Sequence, residues 1–116
     1  MATNPAVSMP NASAIREALQ KCEFIVVSDC MRNTDTTQYA NVLFPAQTWG
    51  ERDGTVTNSE RRISRQRAFL PTPGQARPDW WIISKVAQQM GFSAAFNYDR
   101  PSEIFKEHAA LSGYEN

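Results

Sequence analysis

Few side chains in this sequence carry chemical scope, and most of them sit beside short apolar runs. Ser28 and Asp29 follow the run Phe24-Ile25-Val26-Val27. In open α/β sheets, nucleotides bind beyond the carboxyl ends of the strands. A carboxylate there can accept paired hydrogen bonds from adjacent N–H donors of a base. The same aspartate can instead cap the turn that follows. Asn4 offers a donor and an acceptor next to Pro5, which fixes the local backbone; its bland alternative is an Asx-type turn. Thr34 and Thr36 lead into a predicted short helix, where hydroxyls and free amides suit phosphate or ribose or simply cap the helix. Asp79 falls in the first turn of another predicted helix, where a carboxylate complements the helix dipole.

Other constellations point away from chemistry. Arg61, Arg62, Arg65 and Arg67 place four guanidinium groups within seven residues. Alone, that is an anion or nucleic-acid patch. The formal charge of zero, from 12 basic and 12 acidic side chains, and the lack of interleaved aromatics weaken that reading. Ion pairs with other parts of a larger protein are preferred, with a phosphate contact second; Glu51 and Glu60 can neutralise some of the cluster. The single histidine, His108, has no partner motif and is expected on a helix surface. The two cysteines, Cys22 and Cys30, allow one disulfide but do not form a metal-binding pattern. No metal site is expected from this chain alone. Hydrophobic residues make up 41% and charged residues 21%, ordinary for a globular chain. No apolar run approaches the roughly 18 residues that span a bilayer, and residues 1–10 lack the pattern of a secretory signal. Reduced thiols, a cytoplasmic setting, and neither membrane nor nucleic acid as partner follow as the simpler expectations.

The elements that would position these residues are legible in part. Asn11 or Ser13 can cap a helix whose stripe runs through Ala14, Ile15, Ala18, Leu19 and Cys22, with Cys22 expected buried. The continuous run Phe24–Val27 suits a strand covered on both faces of a parallel sheet. A short helix is expected over about Thr36 to Ala40. A second strand, Val42-Leu43-Phe44, is closed by Pro45. Residues 47–77 read as a long irregular loop with room for a hairpin. Pro78-Asp79 opens a helix with an apolar face through Trp80, Trp81, Ile83, Ser84, Val86, Ala87 and Met90, and Gly91 suits its C′ position. Pro101-Ser102 opens a last helix in which Ile104, Phe105, Ala109 and Leu111 can face a core. Trp80, Trp81 and Phe69 are expected in a core or a domain interface. The fold class is α/β: a short parallel sheet flanked by helices (residues 1–46), a long irregular loop (47–77) and a helical part (78–116). Two strands do not make a stable sheet, so the chain looks like half of a doubly wound unit.

Three stretches together carry a resemblance. They are Thr3-Asn4-Pro5-Ala6-Val7-Ser8-Met9-Pro10-Asn11; Val27-Ser28-Asp29 with Thr34-Asp35-Thr36 and Tyr39–Ala46; and Trp49–Arg62, with Gly54-Thr55-Val56-Thr57-Asn58-Ser59-Glu60-Arg61-Arg62 at its end. The chain resembles the molybdenum enzymes that carry a bis-molybdopterin guanine dinucleotide. That family includes nitrate reductases, formate dehydrogenases and dimethyl sulfoxide reductases. The wording is most similar to the assimilatory nitrate reductase branch, through Arg77-Pro78-Asp79-Trp80-Trp81 and on to His108–Gly113. Two positions depart from the family pattern. Asn41 stands where aspartate is usual, which touches one helix–strand contact. Ala2 stands where glycine is common, which would restrict the backbone near Asn4.

The resemblance implies a fragment of a catalytic subunit several times longer, drawn from a Rossmann-like nucleotide-binding domain. It implies that Asn4, Ser28, Asp29, Thr34, Thr36, Arg52 and Asp79 face the nucleotide part of the cofactor, with guanine against the carboxylates. For Arg52 the alternative is a solvated surface charge. By the same resemblance the intact enzyme reduces nitrate to nitrite at molybdenum. A [4Fe-4S] cluster bound elsewhere supplies the electrons, and the partners are the remainder of the subunit and an electron-donor protein or domain. Cys30 follows Asp29, but no molybdenum-ligand motif surrounds it. The fragment alone is expected to be inactive. Rival readings are a formate dehydrogenase or other molybdopterin oxidoreductase, a non-catalytic interaction module using the Trp80-Trp81 face, and an anion or RNA binder using the arginines.

Overall fold

The computed structural model describes residues 3–113. Ala2 lies outside them. The chain forms two compact units, each assembled from separated segments: Met1–Thr48 with Thr72–Asp79, and Trp49–Pro71 with Trp80–Asn116.

The first unit contains α1 (Pro5–Ser8), α2 (Ala12–Lys21), β1 (Val26–Asp29), a 3-10 turn at Thr37–Tyr39 and β2 (Val42–Pro45). The strands pair in parallel, Val26 with Val42 through Asp29 with Pro45. The mixed α/β class and the short parallel sheet with helices on either side of it in the sequence are as expected. Pro5 at the start of α1 costs nothing, because the first N–H groups of a helix have no internal partner. Asn11 precedes α2 in a left-handed conformation, with no hydrogen bond from its side chain to the helix. The helix begins where it was expected, without the expected cap bond.

The first strand lies later than the apolar run suggested. Phe24 is 66% exposed and precedes the ladder, and Val26 is 50% exposed, so this strand is not covered on both faces. The partner strand sets its start. Asn41 N–H donates to Ile25 O (2.9 Å) and Asn41 Oδ1 accepts from Ile25 N–H (2.7 Å), and the ladder runs on from there. Ser28 and Asp29 are therefore inside the strand rather than beyond it. Because the side chain of Asn41 uses only its oxygen here, an aspartate would serve equally.

A third extended segment continues the sheet edge. Ala46 and Arg77 form a parallel bridge. Arg77 N–H donates to Pro45 O and Gln47 N–H to Arg77 O, both at 3.0 Å. The buried apolar residues of this unit are small: Ala6, Val27, Ala46 and Ala76. Cys22, expected to be buried, is exposed at the end of α2, where its thiol donates to Ala18 O (3.4 Å). No residue of α2 is buried.

The second unit holds a 3-10 turn at Trp49–Glu51 and the antiparallel hairpin of β3 (Gly54–Thr57) and β4 (Ile63–Gln66). It also holds most of α3 (Asp79–Gln89) and all of α4 (Pro101–Leu111). The stretch expected to be irregular thus carries a hairpin. Gln66 ties it down, its amide donating to Trp49 O and Arg52 O. Backbone packs closely at Gly50, where an added Cβ would lie 2.9 Å from atoms of both Phe69 and Leu70. In α3 the buried residues are Ile82, Ser84 and Ala87, whereas Ile83, Val86 and Met90 form an exposed stripe. Gly91 follows with φ +96°, as a C′ residue should. No residue of α4 is buried; Phe105 is 40% and Leu111 65% exposed, so its expected inward face is not covered. Phe69, expected to be inside, is also exposed and meets Trp49 edge to face at 5.4 Å. Trp80 is half-buried, and Trp81 is exposed beneath the Lys85 ammonium at 5.7 Å.

In Asn41→Ala the Ile25 amide loses its side-chain acceptor at an exposed site. Denaturant unfolding should show a loss of about 1 kcal/mol, while Asn41→Asp should match the parent. At the start of α4, Glu103 accepts from Asp99 N–H (2.8 Å) and Arg100 N–H (3.4 Å) and pairs with Arg100 Nε (3.3 Å). The Asp99 amide bond, above all, holds its carboxyl below the ordinary range. The contribution is therefore present above the unfolded value of about 4.3 and lost as pH falls through the lower folded value. Amide exchange across α4 should accelerate below about pH 4 in the parent, and Glu103→Gln should abolish that acid-side change.

Candidate functional site

Six of the seven sequence-predicted site residues fall in the first unit, and the parallel ladder arranges three of them. Ser28 and Asp29 end β1 and are 4% and 9% exposed. Ala46 N–H donates to Asp29 O (3.0 Å), carrying the ladder past the last paired residue. The Arg77 bridge beside it brings the start of α3 back to the strand end. There Ser28 Oγ donates to Asp79 Oδ1 at 3.0 Å, across 51 positions of sequence. Asp79 thus does more than complement its own helix. Ala46 and Arg77, whose backbone makes this return, were not singled out from the sequence; a single parallel bridge leaves no periodic pattern.

Asp29 Oδ1 accepts from Met31 N–H (2.9 Å), the turn-capping contact foreseen for it. Its second oxygen takes no hydrogen bond among the described residues. No buried side-chain nitrogen or oxygen lacks a partner there, so that oxygen is reachable from outside. A carboxylate that is mostly buried, yet open on one oxygen, is suited to accept from a ligand.

Asn4 and Thr36 form a second polar centre in the same unit. Thr36 N–H (3.1 Å) and Thr36 Oγ–H (2.6 Å) both donate to Asn4 Oδ1. Thr36 Oγ1 accepts from Ala6 N–H (3.1 Å). Asn4 is half-buried, while Ala6 and Thr36 are buried. The Thr36 side chain does not cap its own turn. Thr34 lies in a separate knot. Its Oγ1 accepts from Thr37 N–H (3.2 Å), its N–H donates to Thr37 Oγ1 (2.7 Å), and Thr37 Oγ–H turns to Arg32 O or Thr34 O. Thr37, only 9% exposed, was not foreseen. The polar run around it reads as caps and gives no sign of which hydroxyl turns inward.

Arg52 belongs to the second unit, near the foot of the hairpin, and is half-buried. Arg61, Arg62, Arg65 and Arg67 are all exposed, and none makes an ion pair among the described residues. His108 is exposed on α4. Among the described residues, no group of three or more His, Cys, Asp and Glu side chains stands together as a metal site. No helix there is long and apolar enough to cross a membrane.

Residues 1–89 match the molybdopterin oxidoreductase family model. The chain belongs to that family. It is 59% identical over 116 residues, its whole length, to a nitrate reductase of Klebsiella oxytoca, covering 13% of that protein. It is 42% identical over 107 residues (92% of the chain) to a formate dehydrogenase subunit alpha of Methanocaldococcus jannaschii, covering 16% of it. The assimilatory nitrate reductase catalytic subunit of Bacillus subtilis is 40% identical over 107 residues (92% of the chain), with 15% of it covered. The chain therefore spans less than a fifth of the length of these relatives.

The Ser28–Asp79 bond is buried at the serine end and spans two elements. Ser28→Ala should lower unfolding free energy by about 1–2 kcal/mol, since a hydrogen bond to a charged acceptor is lost. An unchanged urea midpoint would show that the bond contributes nothing.

Proposed function

We propose that this chain is part of the catalytic subunit of a molybdenum-dependent nitrate reductase acting in cytoplasmic nitrate assimilation. Its part is to hold the guanine dinucleotide arm of a bis-molybdopterin cofactor. Its parallel pair then belongs to a Rossmann-like nucleotide-binding domain. The observation that carries this reading is Asp29: a carboxylate at the carboxyl end of a parallel strand, 9% exposed, with one oxygen committed to Met31 and the other open. That is the edge where open α/β sheets take nucleotides, in a chain whose family is named for a pterin cofactor. High identity to nitrate reductases supports the substrate. The similarity to a formate dehydrogenase keeps formate oxidation as the second reading.

The donor set fits the group. Asp29 offers an acceptor to the N1–H and N2 amine of guanine. Ser28 holds Asp79 at the same strand end, so a second carboxylate is set for amine donors. Asn4, Thr34, Thr36 and Arg52 are assigned to the rest of the nucleotide. When bound, the cofactor supplies the two-electron chemistry by which nitrate, two electrons and two protons give nitrite and water. The electrons would come through a [4Fe-4S] cluster held by other parts of the subunit and fed by an electron donor. The residues described here bind and orient; none is assigned a proton or electron transfer.

Asp29→Asn in the full-length protein tests the reading. Asparagine keeps an oxygen for Met31 N–H but turns an amide donor toward the base. Guanosine monophosphate released by acid hydrolysis, and molybdenum per chain, should both fall several-fold with little change in the melting temperature of the nucleotide-free protein. Nitrate reduction with reduced viologen should fall in proportion. Unchanged nucleotide and molybdenum content would overturn the assignment. Turnover of formate but not nitrate by the parent would replace the substrate.

A further inference from the structure

Thr36 is buried, and its hydroxyl proton is already committed within the protein. Its single hydroxyl proton goes to Asn4 Oδ1, and its oxygen accepts from Ala6 N–H. Its backbone N–H also goes to Asn4 Oδ1. A backbone N–H can only donate, and the Thr36 hydroxyl meets the same atom. The asparagine atom they meet must therefore be the amide oxygen, which fixes the flip of the side chain. The amide nitrogen of Asn4 is thereby turned away from Thr36. It takes no hydrogen bond among the described residues, and no buried side-chain nitrogen there lacks a partner. It is thus a reachable donor with a fixed direction.

We infer that Thr36 is a positioning residue: it sets the Asn4 amide so that Nδ2 donates to an acceptor oxygen of the nucleotide, and does not touch the nucleotide itself. This rests on the nucleotide-binding reading above and narrows it, because Thr36 passes from ligand contact to support. Two donors converging on one oxygen hold the amide more firmly than one. Ala6, with 0% of its surface exposed, locks the hydroxyl from the other side.

The test uses the full-length, nucleotide-loaded protein. It reads the rate at which guanosine monophosphate, recovered by acid hydrolysis, is lost from the chain during incubation in buffer. Asn4→Asp keeps the oxygen that Thr36 grips but replaces the outward donor by an acceptor; loss should be about tenfold faster. Thr36→Val should have an effect of the same size, and Thr36→Ser should restore retention to within about twofold. Asn4→Asp with Thr36→Val should lose nucleotide no faster than Asn4→Asp alone, because both act on one contact. Multiplied effects in the double variant, or a Thr36→Ser variant as poor as Thr36→Val, would show direct contact and overturn the inference. So would fast loss in Asn4→Asp with none in Thr36→Val. If Asn4→Asp and Asp29→Asn both retain nucleotide as the parent does, the binding reading itself fails. Should Thr36→Val not fold, amide exchange in the parent decides. Protection of the Thr36 N–H should be equal with and without nucleotide, and protection that appears only on loading would overturn the proposal.

Discussion

The parallel ladder between β1 and β2 is the constraint on which the rest of the first unit depends. Four paired residues fix where the strand ends, and Ala46 N–H on Asp29 O extends the pairing by one more bond. Parallel pairs cannot be closed by a tight turn. The intervening residues 30–41 must leave one end of the sheet and return to the other. They do so through the Thr34–Thr37 knot and the 3-10 turn, which leaves Thr36 facing Asn4. The ladder thus determines both polar centres: directly for Ser28 and Asp29, and through its crossover for Thr36.

Burial of polar groups in so small a core has to be matched bond by bond. The buried apolar residues of the first unit are three alanines and Val27, beside the buried polar Ser28, Asp29, Thr36 and Thr37. An unpartnered buried hydroxyl or carboxylate costs about 1–3 kcal/mol, and few large side chains are present to offset it. Ser28, Thr36 and Thr37 each have a partner, and Asp29 keeps its unbonded oxygen at the surface. The local polar structure is therefore specific, because the alternatives leave groups unbonded.

What the sequence made legible was whatever a local pattern encodes. Pro78 and Pro101 mark helix starts, Gly91 a left-handed helix end, and Val42-Leu43-Phe44 a strand closed by Pro45. The segment through Pro5 has no helical period and reads as a turn or strand end, yet Pro5–Ser8 folds as α1, a single turn too short to show a period. Asp29 was legible as the residue where an apolar run meets a turn. The Ser28–Asp79 bond was not, because the partners lie 51 positions apart and nothing local in either residue encodes the other. Burial was the least legible feature. Helices α2 and α4 carry apolar faces, but a face predicts burial only when something covers it. Phe105 and Leu111 of α4, and Ile83 of α3, stay exposed for that reason. The start of β1 differs from the start of the apolar run because the Asn41 bonds to Ile25, and not apolar content, set it.

A consistent arrangement runs through the candidate residues. Asp29 and Asn4 each commit one atom of a two-headed side chain to the protein and leave the other reachable. The committed atom removes rotamer freedom during folding, so little remains to be ordered when a ligand arrives. This suits a group that is held rather than transformed. A catalytic side chain must change its protonation or its partners during the reaction, and an anchored head opposes that. Fixed amides and carboxylates instead gain from rigidity, because a misaligned donor weakens steeply with angle. Under the proposed reading, the binding strength of this part of the enzyme comes from how few conformations Asn4 and Asp29 retain, more than from how many contacts they make.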